Sequence, residues 1–438
     1  MNRHPVLDQL AMQGVRLGLE RIKSFLDSLG EPHRAYPVIH VAGTNGKGSV
    51  CSMLGSALTA AGYRVGMTVS PHLEHINERV QIDGQPIDDA ALTDAIEHID
   101  RARWDWARSA GVEGNPLTYF EYMIAVAFWS FARRGVDVAV VEVGLGGRLD
   151  ATSVVDPLVC AISHIGLDHT DQLGHTLAEI AGEKAGIIKG GVPVVIGPLA
   201  PDAREVIESV CKRRGSELWR AGPKMRREFR QQKWNFATPV GSLSDVTLGL
   251  EGRHQGANGL VALGVLHRLR TLGFLIDDDA IRAGFAEPGL GGRIERLLPG
   301  LIADGAHNID GTRALAAWLK DQPRPGTRIL LWGMGHDRDA ATIVEPLLEH
   351  VDEVVTTRCA HPKAVDPMDL AVALQDTDAV LSAGGRVEET LPEVFAEADE
   401  TIVAGSLFMA GAARSLVREG ALDGLSAGVN AGAEVEGL

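Results

Sequence analysis

Residues 36–49 read YPVIHVAGTNGKGS, and this stretch decides the fold. Residues 36–42 form an apolar, partly β-branched run, the pattern of a strand buried on both faces. The run breaks into a loop carrying Gly43, Gly46 and Gly48, after which residues 49–61 read as a helix. Glycines let backbone N–H groups approach phosphate oxygens closely, and a helix N-terminus adds partial positive charge. Asn45, Gly46, Lys47, Gly48 and Ser49 thus form a candidate phosphate loop: Lys47 can reach terminal phosphates, and the Ser49 hydroxyl can face a metal ion. The spacing departs from GxxxxGK(S/T), because Gly48 stands between the lysine and the serine. An ordinary glycine-rich turn with an exposed lysine is the plain alternative, and the strand before and helix after argue against it.

The same alternation continues outward. Residues 63–69, 137–143, 158–164 and 192–196 read as further strands, and residues 88–109, 119–134, 177–187 and 202–214 as helices. Such a series predicts a mainly parallel sheet with ligands at the C-terminal strand ends. Residues 219–250 are basic and alternate as in a β-hairpin region; residues 256–273 and 277–286 read as helices. The PGLGG segment at 288–292 reads as a linker. Beyond it a second α/β series begins, with strands expected at 294–303, 328–332, 353–357 and 401–404. Helices are expected at 311–322, 340–350, 367–374, 388–398 and 407–419. The expected organisation is an α/β chain with an N-terminal P-loop domain over 1–287 and a smaller C-terminal Rossmann-like α/β domain over 293–425. Residues 426–438, small, glycine-rich and acidic, are expected to be a disordered tail. The tryptophans of 104–106 and the phenylalanines of 128–131 fit amphipathic core packing better than a ligand box.

At 438 residues, two domains are the default expectation. A formal charge of -16 repels phosphate backbones and anionic lipids, so neither nucleic acid nor membrane is an expected partner. No apolar run approaches the roughly 20 residues of a membrane helix. The scattered Cys51, Cys160, Cys211 and Cys359 offer no CxxC pair, which suits reduced thiols in a cytoplasmic protein. A monomer acting on small molecules is the expectation.

The remaining chemistry gathers at predicted strand ends. Glu142 closes the apolar run DVAVVEV, where an ionised carboxylate is costly unless paired or metal-bound. Ser70 closes the strand before it, and His169 follows the strand ending near His164. Ser49, Ser70, Glu142 and His169 form a candidate Mg²⁺ set, with imidazole the less usual ligand. Alone, His169 reads as an ordinary loop histidine; its placement beside a phosphate loop argues otherwise. Lys184, late in a predicted helix, reads on physical grounds as a favourable surface charge. The glycine-rich loop after Glu142 offers Arg148 and Asp150 as polar handles, and DGAHN at 304–308 sets Asp304 and His307 at another strand end.

Together these segments resemble the folylpolyglutamate synthase/dihydrofolate synthase family, related to the Mur ligases. The resemblance rests on HVAGTNGKGS (40–49), SPHL (70–73), INERVQIDG (76–84), TYFEY (118–122), VEVGLGGRLDAT (141–152), GLDHTDQLGHT (166–176), GEKAGIIK (182–189), DGAHN and GSL (405–407). It implies an ATP- and Mg²⁺-dependent ligase that activates a pterin carboxylate as an acyl phosphate, which the amine of glutamate then displaces. Ser70, Glu142 and His169 would bind Mg²⁺, and residues 46–49 with Asn258, Arg293 and Asp304 would hold ATP. Lys184 would be carbamylated and help hold a second Mg²⁺, a role only the resemblance suggests. The pterin end would meet Thr118, Tyr119, Phe120, Glu121, Leu149, Asp150 and Ala151, with residues 76–84 as a flexible loop. His307 and Ser406 would lie on the glutamate side, His307 as a catalytic group. The GLER segment at 18–21 resembles the dihydropteroate-binding start of bifunctional members, so dihydropteroate and folates are the expected acceptors. A folate-extending enzyme alone, a Mur-type ligase and a nucleotide-binding switch are the alternatives.

Overall fold

In the computed structural model, which describes residues 4–11, 16–324, 326–336 and 338–425, the run VIHVA is the central strand Val38–Ala42, buried at all five positions. From edge to edge its sheet runs Gln85–Pro86, Gln81–Ile82, Val65–Thr68, Val138–Glu142, Val38–Ala42, Val159–Ile162, Val194–Ile196, Leu218–Arg220. The strands from Val65–Thr68 to Leu218–Arg220 pair in parallel, and the two short edge strands pair antiparallel. The inner strands are apolar throughout because helices cover both faces. On one side, the helix Tyr119–Arg134 buries Tyr122, Phe128 and Phe131. Each such side chain contributes about 1.5–3 kcal/mol by leaving water. A capping box starts this helix: the Thr118 hydroxyl accepts from the Glu121 N–H, and the Glu121 carboxylate accepts from the Thr118 N–H.

The chain divides into two compact units, one of residues 1–249 with 254–290, the other of residues 250–253 with 291–438. The first unit adds an antiparallel three-stranded sheet, Gly241–Val246, Lys233–Thr238 and Arg226–Arg230, in the basic region expected to form hairpins. The second unit holds a six-stranded sheet in the order Glu295–Leu298, Leu301–Ala303, Glu400–Ala404, Arg328–Trp332, Glu353–Arg358, Leu381–Arg386. All its pairings are parallel except that of the first two strands.

Several expectations need correction. The strand expected over 294–303 is a hairpin, because Pro299-Gly300 turns the chain with Gly300 at φ +78°. Residues 76–84 carry regular structure: Ile76–Arg79 is a 3₁₀ turn with Asn77 buried, and Gln81–Ile82 and Gln85–Pro86 extend the sheet. Trp106, Phe128 and Phe131 are core residues, but Trp104 is 38% exposed and stacks on the Arg103 guanidinium. The helices Pro5–Ala11 and Glu20–Ser28 and the glycine-containing strand Leu381–Arg386 were not predicted. The expected tail at 426–438 lies outside the described residues.

Candidate active site

The phosphate loop leaves the sheet at Ala42, with neighbouring strands ending at Glu142 on one side and Ile162 on the other. Gly46, the N-cap of the helix Lys47–Ala60, has φ +82°, a conformation glycine adopts without strain. Lys47 folds over the loop, its Nζ donating to the carbonyls of Gly43 and Thr44 at 3.1 Å each. The loop is tied to the following strand end: Thr44 N–H donates to His164 O at 2.7 Å, and Ser163 Oγ donates to Asn45 O at 2.7 Å. Sequence reasoning missed Ser163; its short polar side chain carries no signal until the strands are paired.

Asn258, buried in the helix Gln255–Thr271, lies against Gly46: a Cβ on Gly46 would sit 2.3 Å from Asn258 Oδ1. Gly46→Ala therefore meets both a collision and a left-handed backbone that costs roughly 1–2 kcal/mol. Nucleotide affinity should fall at least about tenfold, and the melting temperature should drop by several degrees. A nucleotide titration with a thermal melt on the same variant checks this, and unchanged affinity refutes it.

Ser49 is buried in the first turn of the same helix. Glu142, 5% exposed, accepts the Ser70 N–H at 3.0 Å, so the ends of Val65–Thr68 and Val138–Glu142 are joined at the carboxylate. His169 is a left-handed N-cap at φ 51°, its N–H bonded to Asp168 Oδ1 at 2.9 Å. Ser70 and Glu142 thus lie at the C-terminal ends of two adjacent strands, and Ser49 and His169 in the segments that follow the next two, Val38–Ala42 and Val159–Ile162. Among the described residues, no three His, Cys, Asp or Glu side chains cluster as a metal site by themselves. Hydroxyl and carboxylate oxygens that also rely on phosphate oxygens and water suit Mg²⁺, which keeps several waters and substrate ligands.

Lys184 overturns its reading as a surface charge. It is 3% exposed, and its Nζ donates to Gly43 O in the phosphate loop at 2.9 Å. Burial, reinforced by the Lys47 charge, lowers its pKa to about 7, while Asp168 and Asp150 act in the opposite sense. The helix ends at Lys184, so its last turn directs this side chain under the loop.

Asp150 is buried, and its carboxylate accepts from Leu145 N–H at 2.8 Å and Thr152 N–H at 3.0 Å, holding the glycine-rich loop closed. Burial raises its pKa, against those hydrogen bonds. Arg148 faces outward in an ion pair with Glu183 at 2.8 Å. Leu149 is half-buried and Ala151 buried in the same loop. Phe120 rests on Gly144, where a Cβ would meet the ring at 2.4 Å. Glu121 is buried and pairs with Arg21 at 2.9 Å, so residues from the GLER and TYFEY segments meet.

In the second unit, Asp304 is buried and accepts from the N–H groups of Ile294 and Ala306, each at 2.7 Å. Burial raises its pKa, opposed first by the charge of Arg293. His307 Nδ1 lies 2.7 Å from Gly305 O; a carbonyl only accepts, so Nδ1 carries a proton and the contact orients the ring. Ser406 caps the helix Leu407–Arg418, and Gly405 N–H bonds to Ala306 O at 2.9 Å, bringing the DGAHN and GSL loops to one sheet edge.

A phosphate loop with hydroxyl and carboxylate oxygens on adjacent strand ends, followed by a second α/β unit, has the arrangement of a nucleotide-phosphate site. The chain matches the Mur ligase middle domain over residues 41–266 and the Mur ligase glutamate ligase domain over residues 292–413. A dihydrofolate synthase/folylpolyglutamate synthase of Mycobacterium tuberculosis is 37% identical over 435 residues, covering 91% of this chain and 89% of its own. Escherichia coli FolC, solved in complex with DHPP and ADP, has a TM-score of 0.84 at 33% identity, covering 94% of this chain and 96% of that one. A bifunctional folylpolyglutamate synthase/dihydrofolate synthase with Mn, AMPPNP and L-glutamate bound has a TM-score of 0.82 at 33% identity, covering 94% and 97%. The chain belongs to the Mur ligase family, in its dihydrofolate synthase/folylpolyglutamate synthase branch. It is accordingly an acid–amino-acid ligase. No helix among the described residues is long and apolar enough to cross a membrane.

Proposed function

We propose that this enzyme uses ATP to join L-glutamate to dihydropteroate and to folates through an acyl phosphate. The observation that carries the reading is Lys184, buried beneath the phosphate loop with its Nζ on Gly43 O. A lysine that loses its charge near neutrality is suited to carbamylation: the neutral amine adds to CO₂ and releases a proton, replacing a buried cation by an anion. In this reading residues 45–49 and Asn258 hold the ATP phosphates, and Arg293 and Asp304 complete the nucleotide contacts. Ser49, Ser70, Glu142 and the Lys184 carbamate supply oxygen ligands for two Mg²⁺ ions, with His169 an imidazole ligand. Bound there, Mg²⁺ neutralises phosphate charge so that a carboxylate can approach the γ-phosphoryl group. Lys47 adds a fixed positive charge on the same path. Thr118, Tyr119, Phe120, Glu121 and residues 149–151 take the pterin end. His307, whose ring is oriented by Gly305 O, and Ser406 serve glutamate, His307 as a catalytic group. The acidic chain is a cytoplasmic monomer with no nucleic-acid or membrane partner, a reading its -16 charge supports.

Purified protein given ATP, Mg²⁺, glutamate and dihydropteroate should release phosphate and form dihydrofolate. Turnover with tetrahydrofolate but not dihydropteroate would leave only the chain-extending activity. Absence of turnover with every pterin acceptor would sink the proposal.

A further inference from the structure

The geometry points to Arg79 as the residue that grips the carboxylate of the acceptor substrate, between the metal ligands and the pterin contacts. The inference rests on the function proposed above and adds a residue to it. Arg79 closes the 3₁₀ turn Ile76–Arg79 and is half-buried. Its Nε donates to His72 Nδ1 at 3.0 Å, and its guanidinium carbon lies 5.4 Å from the centre of the Tyr119 ring. These contacts fix the plane of the guanidinium and leave its two terminal nitrogens as a fork.

The carboxylate charges of Glu142 and Glu78 act on Arg79, and its Nε hydrogen bond goes to His72 rather than to either of them. Its sequence neighbour Glu78 is engaged elsewhere, accepting the N–H groups of Leu73, Glu74 and His75 at 2.6, 2.9 and 2.7 Å. A desolvated guanidinium is costly unless its charge is met, and a planar fork matches a carboxylate bidentately. The position suits that partner. Tyr119 opens the segment proposed for the pterin, and His72 lies two residues past Ser70, whose N–H holds Glu142. A molecule with a pterin at one end and its reacting carboxylate near the metal would pass the carboxylate across Arg79. In a chain of charge -16, that local cation also gives an anionic acceptor a reason to bind.

The test compares binding of dihydropteroate and its uncharged carboxamide to the full chain, with a non-hydrolysable ATP analogue and Mg²⁺ present, by calorimetry. Wild type should prefer the acid by about 10- to 100-fold, the span of a charge-assisted pair. Arg79→Gln should bind acid and amide equally, and Arg79→Lys should restore part of the preference, with affinity for the ATP analogue within about twofold of wild type in both. If Arg79 only braces His72 and Tyr119, Arg79→Gln will melt lower yet still prefer the acid, and the assignment falls. A wild type that binds neither compound overturns the functional reading and this assignment with it.

Discussion

Lys184→Met is expected to reduce ligation by on the order of 10³-fold while leaving the protein as stable as wild type or more so. The two halves of this expectation share one cause. Lys184 is 3% exposed and pays for its burial with a pKa lowered to about 7, first by desolvation and then by the Lys47 charge. The unfolded lysine titrates near 10.5, so between about pH 7 and 10.5 the unfolded chain binds the extra proton, and stability rises with pH across that window. Below about pH 7 both states are protonated and the whole burial penalty stands. Methionine fills a similar volume with no charge to bury, so the variant should lose this part of the pH slope. Activity should move in the opposite direction, since methionine can neither accept CO₂ nor hold a cation. Wild-type activity should also fall as pH drops through about 7, because the protonated amine cannot form a carbamate, and added bicarbonate should raise it. Steady-state rates, thermal melts at several pH values and intact mass under CO₂ check the claim. Near-normal turnover by Lys184→Met would refute the carbamate role.

The history of Lys184 shows what the sequence made legible and what it withheld. The central strand Val38–Ala42 and the glycine loop after it were readable because burial on both faces leaves an uninterrupted apolar run. Glu142 was readable for the converse reason, as a carboxylate ending such a run. Lys184 was not, because its helix is short and its burial comes from the phosphate loop, 141 residues away in the chain. Local pattern reports the face a residue presents to its own element; it does not report a loop that folds over that face. Arg79 was hidden likewise: nothing in the local pattern marks it, and only the structure shows its guanidinium on His72 and Tyr119 with the Glu78 carboxylate turned to the backbone at 73–75. The hairpin at 295–303 failed for a smaller reason, a Pro-Gly turn inside an apolar stretch. These misses cluster where tertiary contacts give ordinary-looking residues special surroundings, as expected of sites whose function depends on such contacts.

Glu142→Gln should lower turnover by on the order of 10²- to 10³-fold and raise the Mg²⁺ concentration needed for half-maximal rate. The substitution is chosen because it removes charge with minimal change of shape. The Glu142 carboxylate accepts the Ser70 N–H at 3.0 Å, and an amide oxygen can accept the same bond. The junction between the ends of Val65–Thr68 and Val138–Glu142 therefore persists. At 5% exposure the carboxylate is costly to keep ionised, and glutamine relieves that cost, so the melting temperature without Mg²⁺ should not fall. Mg²⁺ favours anionic oxygen over amide oxygen, so the loss should appear mainly in the metal titration. If Glu142 merely staples two strand ends, the outcome reverses: Glu142→Gln would behave as wild type in Mg²⁺ dependence, while Glu142→Ala, which frees the part-buried Ser70 N–H, would be less stable by about 1 kcal/mol. The pair of variants thus separates a metal ligand from a strand clasp, because only a metal ligand makes the isosteric change the damaging one.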